Sequence, residues 1–208
     1  MKVNIITPDW REKFAPEESQ DLGNGMFSPT LRYMTDRIYL FGAIPEFKSF
    51  FACNEAINFA YNGSNSYNVL YIQTEMSYEA VTSKRFSQYT HVPENLYLCD
   101  ANTLEEVADD TTAFDQFKVI ILDATCDDGL GEESEPDDQP DLTWFIKVLS
   151  NYRMKHPDKM ILVYAPLVDR CNTRKEFVDA CFTIKRDGIK CTKDRCLDWR
   201  GPNGEQSL

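Results

Sequence analysis

Three observations predict an α/β fold with a mainly parallel sheet. Short apolar runs alternate with helical patterns along the chain. Two of these runs, residues 119–123 and 160–165, are almost continuously apolar, as in strands covered on both faces. Turn signals such as Asn62-Gly-Ser-Asn-Ser66 fall between a helical pattern and the apolar run that follows it.

Taken in order, the runs predict strands at 37–42, 68–74, 96–99, 117–123, 159–165 and 181–186. Helical patterns fill 48–61, 77–89, 103–109, 142–156 and 174–180, with Ser77 as the N-cap of the second. The first 35 residues hold no sustained period and read as an N-terminal arm (1–35) leading into a domain at 36–208. Residues 127–141 carry eight acids and no base, an acidic loop too polar to pack. No internal repeat is visible.

The bulk numbers bound the function classes. At 208 residues, 42% apolar and 27% charged, the chain is expected to form one domain with a real core. Its net charge is −12, and −4 remains once the acidic loop is set aside, the wrong sign for neutralising several phosphates. Nucleic-acid binding by this chain alone is therefore not expected. The basic cluster Lys185, Arg186, Lys190, Lys193 and Arg195 is interrupted by Asp187 and Asp194 and reads as a solvated loop. No apolar run approaches the roughly 20 residues of a membrane span, and the first residues lack a signal-peptide core. A cytoplasmic location without membrane attachment is the expectation.

Seven cysteines, an odd count without a Cys-x-x-Cys pair, read as reduced structural thiols. Cys171, Cys181, Cys191 and Cys196 do not have a common zinc-ligand spacing, so no zinc is expected. His91 and His156 lie near predicted helix ends with no nucleophile partner in sequence.

The stretch Gly42-Ala-Ile-Pro-Glu-Phe-Lys-Ser49 carries the sharpest chemical signal. It follows the phosphate-loop pattern G-x-x-x-x-G-K-[S/T], between a buried strand and a helix, at every position but one. Phe47 stands where the pattern has its second glycine. A ring there is expected to crowd the phosphate pocket, and a required positive φ would add roughly 1–2 kcal/mol of strain. Glu46 adds a negative charge, and Pro45 removes a backbone amide.

Three further segments follow in order. Asn68-Val-Leu-Tyr-Ile-Gln-Thr-Glu-Met-Ser77 resembles the strand ending in Glu-Met-Ser of DnaB-type replicative helicases. Phe117-Lys-Val-Ile-Ile-Leu-Asp123 resembles the strand that closes on their Walker B aspartate, and Arg200-Gly-Pro-Asn-Gly-Glu205 resembles their C-terminal Arg-Asn-Gly-Pro-x-Gly. The chain is thus similar, over roughly 36–205, to the RecA-like motor domain of that family, which implies a RecA-like P-loop NTPase fold.

The resemblance implies roles as well. Gly42, Lys48 and Ser49 would cradle the phosphates of ATP. Ser49 and Asp123 would hold Mg2+, and Glu75 would polarise the attacking water. The family's Lys-x-Arg finger pair aligns with Leu197 and Trp199, and its polar sensor falls in Ala165-Pro-Leu167. Cradle, fingers and sensor all depart from the pattern. The first expectation is therefore a catalytically impaired binding or assembly module in DNA replication or recombination. It would join a protein partner, or its own copies, through RecA-like edges. A second is a working ATPase of the same family with a variant loop. A third takes the loop match as coincidental, with Lys48 a surface helix residue and Phe47 a core anchor.

Overall fold

The computed structural model describes residues 20–23, 25–27, 30–63, 66–73, 78–99, 104–109, 111–124, 142–166, 175–186 and 188–195. Its centre is a seven-stranded sheet in the order β3-β2-β4-β5-β1-β6-β7. The strands are β1 (Arg37–Ala43), β2 (Asn68–Gln73), β3 (Leu96–Leu98), β4 (Phe117–Asp123), β5 (Met160–Pro166), β6 (Ala180–Lys185) and β7 (Gly188–Asp194). All neighbours run parallel except β6 and β7. Parallel strands need covered crossovers, which is why β1, β4 and β5 are buried almost end to end.

Helices lie on both faces: α1 (Pro45–Gly63), α2 (Tyr78–Val81) continued by a π turn at Thr82–Phe86, α3 (Leu104–Asp109) and α4 (Leu142–Lys155). Because strand side chains alternate, β1 sends Tyr39, Phe41 and Ala43 toward α1 and Ile38 and Leu40 toward α4. α1 and the π turn cover the first face with Ala52, Cys53, Ala56, Phe59 and Phe86. α4 covers the second with Phe145, Ile146, Leu149 and Tyr152.

The six predicted strands are present, each within one residue at either end. Two segments differ from expectation in the kind of element they form. Of the helix expected at 174–180, the described residues hold only a 3-10 turn, Lys175–Phe177, because Ala180 already pairs with Tyr39 as the start of β6. The basic cluster expected in a loop contains a seventh strand, β7, whose alternating half-exposure is that of an edge strand. Lys190 faces solvent there, whereas Lys193 Nζ donates to the carbonyl of Val178. Lysines on an edge strand discourage further strand pairing.

The described part of the segment before β1 is built into the core. Leu22, Leu31 and Tyr33 are buried on the α1 face, and Asp21 and Met34 form an antiparallel bridge. Asp36, the one described non-glycine residue at positive φ (58°), turns this segment into β1. The Asp36 amide bonds the carbonyl of Lys159 and its carboxylate takes Arg153 Nη1 at 3.0 Å, fixing the bend. The acidic residues 127–141 lie outside the described residues.

Candidate functional site at the carboxyl ends of β1 and β4

β1 runs through Ala43, and α1 begins at Pro45, leaving Ile44 alone between strand and helix. Proline is well suited to a first helical position, where a missing N–H costs nothing. The Ile44 carbonyl accepts from the amides of both Phe47 (2.9 Å) and Lys48 (3.1 Å). The four residues expected to loop around a phosphate are therefore partly strand and partly helix. Gly42 is buried inside β1, in register with Ala165 and Thr183 on its two neighbours.

Phe47 corrects a specific expectation. It has ordinary helical backbone, so the strain argument does not apply. Its half-buried ring turns along the helix, edge-on to Phe51 with centroids 6.3 Å apart.

Lys48 is buried, which removes the reading of it as a surface helix residue. Its ammonium lies 2.9 Å from Asp123 Oδ1 at the end of β4, with both side chains 4% exposed. It also donates to the carbonyl of Ala124. The other carboxylate oxygen of Asp123 accepts from Tyr71 OH at 2.7 Å, and Cys53 Sγ lies 3.4 Å behind that hydroxyl. A continuous buried network thus runs from α1 through β4 and β2 back to α1. Burial pushes the Cys53 thiol up to about 12, so it acts as a packed group and not as a nucleophile. Burial, reinforced by the Asp123 charge, also holds the Tyr71 phenol well above its usual value. Ser49 is buried beside Lys48 in the same helical turn.

Lys48, Ser49 and Asp123 thus meet at one place, the carboxyl edge of the sheet. This is where ligands sit in open α/β sheets. Glu75, Arg200–Glu205, Leu197 and Trp199 lie outside the described residues. Sequence reasoning did not single out Tyr71 or Cys53 for this network. It also missed Glu55, a fully buried acid on α1 that accepts from Tyr33 OH and from the Met26 amide at 2.7 Å. Burial raises its carboxyl to about 7 despite those two donors. A signal existed: Glu55 falls within the buried stripe marked by Ala52, Ala56 and Phe59.

Among the described residues, no group of three or more His, Cys, Asp or Glu side chains is placed to hold a metal ion. Cys181 and Cys191 pack on opposite faces of the sheet, so they cannot share one. Cys171 and Cys196 are not described. The His156 ring stacks on Tyr152 at 4.3 Å, and the His91 carbonyl accepts from Tyr61 OH. No described helix is long and apolar enough to cross a membrane.

No family model matches this sequence, and neither does any curated protein. Solved structures do match. A KaiC-like protein from Pyrococcus horikoshii aligns over 93% of this chain and 100% of its own, with TM-score 0.57 and 13% identity. The flagellar accessory protein FlaH of Methanocaldococcus jannaschii aligns over 77% of this chain and 79% of its own, with TM-score 0.55 and 14% identity. The ATP synthase subunit NeqB of Nanoarcheaum equitans aligns over 92% of this chain, which spans 60% of it, with TM-score 0.55 and 11% identity. The chain has the RecA-like P-loop NTPase fold, shared with KaiC-like domains.

Proposed function

We propose that this chain is a RecA-like domain whose phosphate site is filled by its own residues, and that it works as a binding or assembly module instead of a motor. One observation carries the reading. The amides of Phe47 and Lys48 are committed to the Ile44 carbonyl, and the Lys48 ammonium is committed to Asp123 and Ala124. A phosphate cradle needs free amides and a free lysine at its rim. As wound, residues 44–48 do not fit a triphosphate.

A DnaB-type lineage, and with it a role in DNA replication or recombination, is supported by the sequence resemblance at 68–77, 117–123 and 200–205. The expected partner is a protein, or a second copy joined through the sheet edges. The net charge of −12 disfavours nucleic acid bound by this chain alone. The cytoplasm is the proposed location.

A second reading, an ATPase with a variant loop, is favoured by the convergence of Lys48, Ser49 and Asp123. Calorimetry with Mg-ATP and Mg-ADP separates the two. The expected result is no binding at millimolar nucleotide. Micromolar binding by the native chain, lost in Lys48→Met, would overturn the closed-site reading and establish the second.

A further inference from the structure

We propose that the described residues of the segment before β1 (20–23, 25–27 and 30–34) act as a clasp on α1, holding its first turn wound across the position a phosphate would take. This rests on the reading of that turn as closed.

Two anchors fix the clasp. The first is a chain of aromatic rings. Phe27 stacks on Phe41 of β1 with centroids 5.6 Å apart, and lies 5.6 Å from Phe51 of α1. Phe51 in turn meets Phe47 at 6.3 Å. The ring in the glycine position of the phosphate-loop pattern is thus connected, through one neighbour a helical turn away, to the segment before β1. The second anchor is Glu55. Its two oxygens take the Met26 amide and the Tyr33 hydroxyl, both from the clasp. Tyr33 is fully buried, edge-on to Tyr39 and Phe59.

Gly25 shows how close the fit is. A Cβ there would stand 2.4 Å from the Tyr33 ring and 2.7 Å from Glu55 Oε2. The clasp closes on itself through the Asp21–Met34 bridge and the bond from the Thr35 amide to the Gln20 carbonyl at 2.9 Å.

Opening a phosphate loop here means unwinding residues 45–48, which separates Phe47 from Phe51 and Lys48 from Asp123. Phe27 bears on the first of these contacts. With Phe27 in place, Phe51 is pinned and offers Phe47 a fixed surface; without it, Phe51 gains rotamers and the turn loses a support. A binding event that displaces the clasp would therefore loosen the phosphate-loop segment from a distance.

The test is amide hydrogen exchange by NMR on the full chain, with Phe27→Ala and Phe27→Leu beside the native protein. The readout is exchange of the Phe47 and Lys48 amides relative to those of Ile120–Leu122 and Leu162–Tyr164, which report global opening. Loss of one aromatic contact predicts a relative rate about three- to tenfold faster in Phe27→Ala and an intermediate change in Phe27→Leu. An unchanged ratio overturns the clasp. If Phe27→Ala loses protection throughout, Phe27→Leu decides by the same ratio. Nucleotide binding by the native chain would refute the closed site without altering this exchange result, so the two failures are distinguishable.

Discussion

On the α4 face the central strands present Ile38, Leu40, Leu70, Ile72, Ile120, Leu122, Ile161 and Val163. On the α1 face the same strands present Tyr39, Phe41, Tyr71, Val119, Ile121, Leu162 and Tyr164. The aliphatic strand side chains of the α4 face bring no polar group of their own, and the polar contacts of that face, such as Tyr152 OH to Asp115 at 2.9 Å, lie at its margin and are only partly buried. The aromatic face has phenol hydroxyls in reach of buried charge, and there Asp123 and Glu55 each accept from a tyrosine while Lys48 lies deep in the sheet edge. Burying a charge is tolerated only where hydrogen bonds surround it. One sheet backbone thus carries mainly aliphatic packing on one side and a buried polar network on the other.

Substitutions can break that contrast. The largest effect is expected from Lys48→Met, which leaves the Asp123 carboxylate buried without its cation. Denaturant titration should show a loss of about 3–5 kcal/mol, most of it regained in the Lys48→Met/Asp123→Asn double variant. A single-variant loss below about 1 kcal/mol would mean that Asp123 finds water or another partner.

On the opposite face, Ile161→Ala should cost about 2–5 kcal/mol through an unfilled cavity. It should leave exchange at Phe47 unchanged relative to the β4 amides, because the cavity lies across the sheet. A selective change at Phe47 would show that the two faces are coupled.

Glu55 provides a pH test. Its carboxyl is raised from 4.5 to about 7, chiefly by burial, against the Tyr33 and Met26 donors. The neighbouring Tyr164 phenol, itself buried and raised well above its usual value, adds no positive charge to offset this. The folded state therefore holds the proton more tightly than the unfolded chain. The resulting stability is complete below pH 4.5 and is lost as pH rises to about 7, on the order of 3 kcal/mol. Glu55→Gln should remove this slope, seen as a difference between the pH–stability curves of native and variant proteins. Parallel curves would sink the assignment.

The smallest effect is expected from Tyr164→Phe. Its fully buried hydroxyl has no hydrogen-bond partner among the described residues. Deleting it should be neutral or stabilising by up to about 1 kcal/mol in thermal melts. A clear loss would reveal a bridging water.

The strands were legible because each parallel strand is a short apolar run, and 117–123 matches at both ends. β7 was not: Gly-Ile-Lys-Cys-Thr-Lys-Asp has the polarity of a loop, and only pairing with β6 makes it a strand. The helix expected at 174–180 failed for the converse reason, since pairing with β1 claims Ala180. At the site, the pattern located Lys48, Ser49 and Asp123 in one place but gave no account of the winding. Pro45 was read as a lost amide, when its larger effect is to start the helix early. The clasp was invisible because its bonds to Glu55 cross 22 and 29 residues and follow no period.

The strand order has a consequence for synthesis. β1 lies between β5 and β6, and its register partner Met160 is translated about 120 residues after Arg37. At roughly 5–20 residues per second, the nascent chain carries an unpaired Ile-Tyr-Leu-Phe segment for about 6–25 s. During that interval the ribosome-bound chain presents an apolar strand without neighbours, a target for chaperones before the sheet can close.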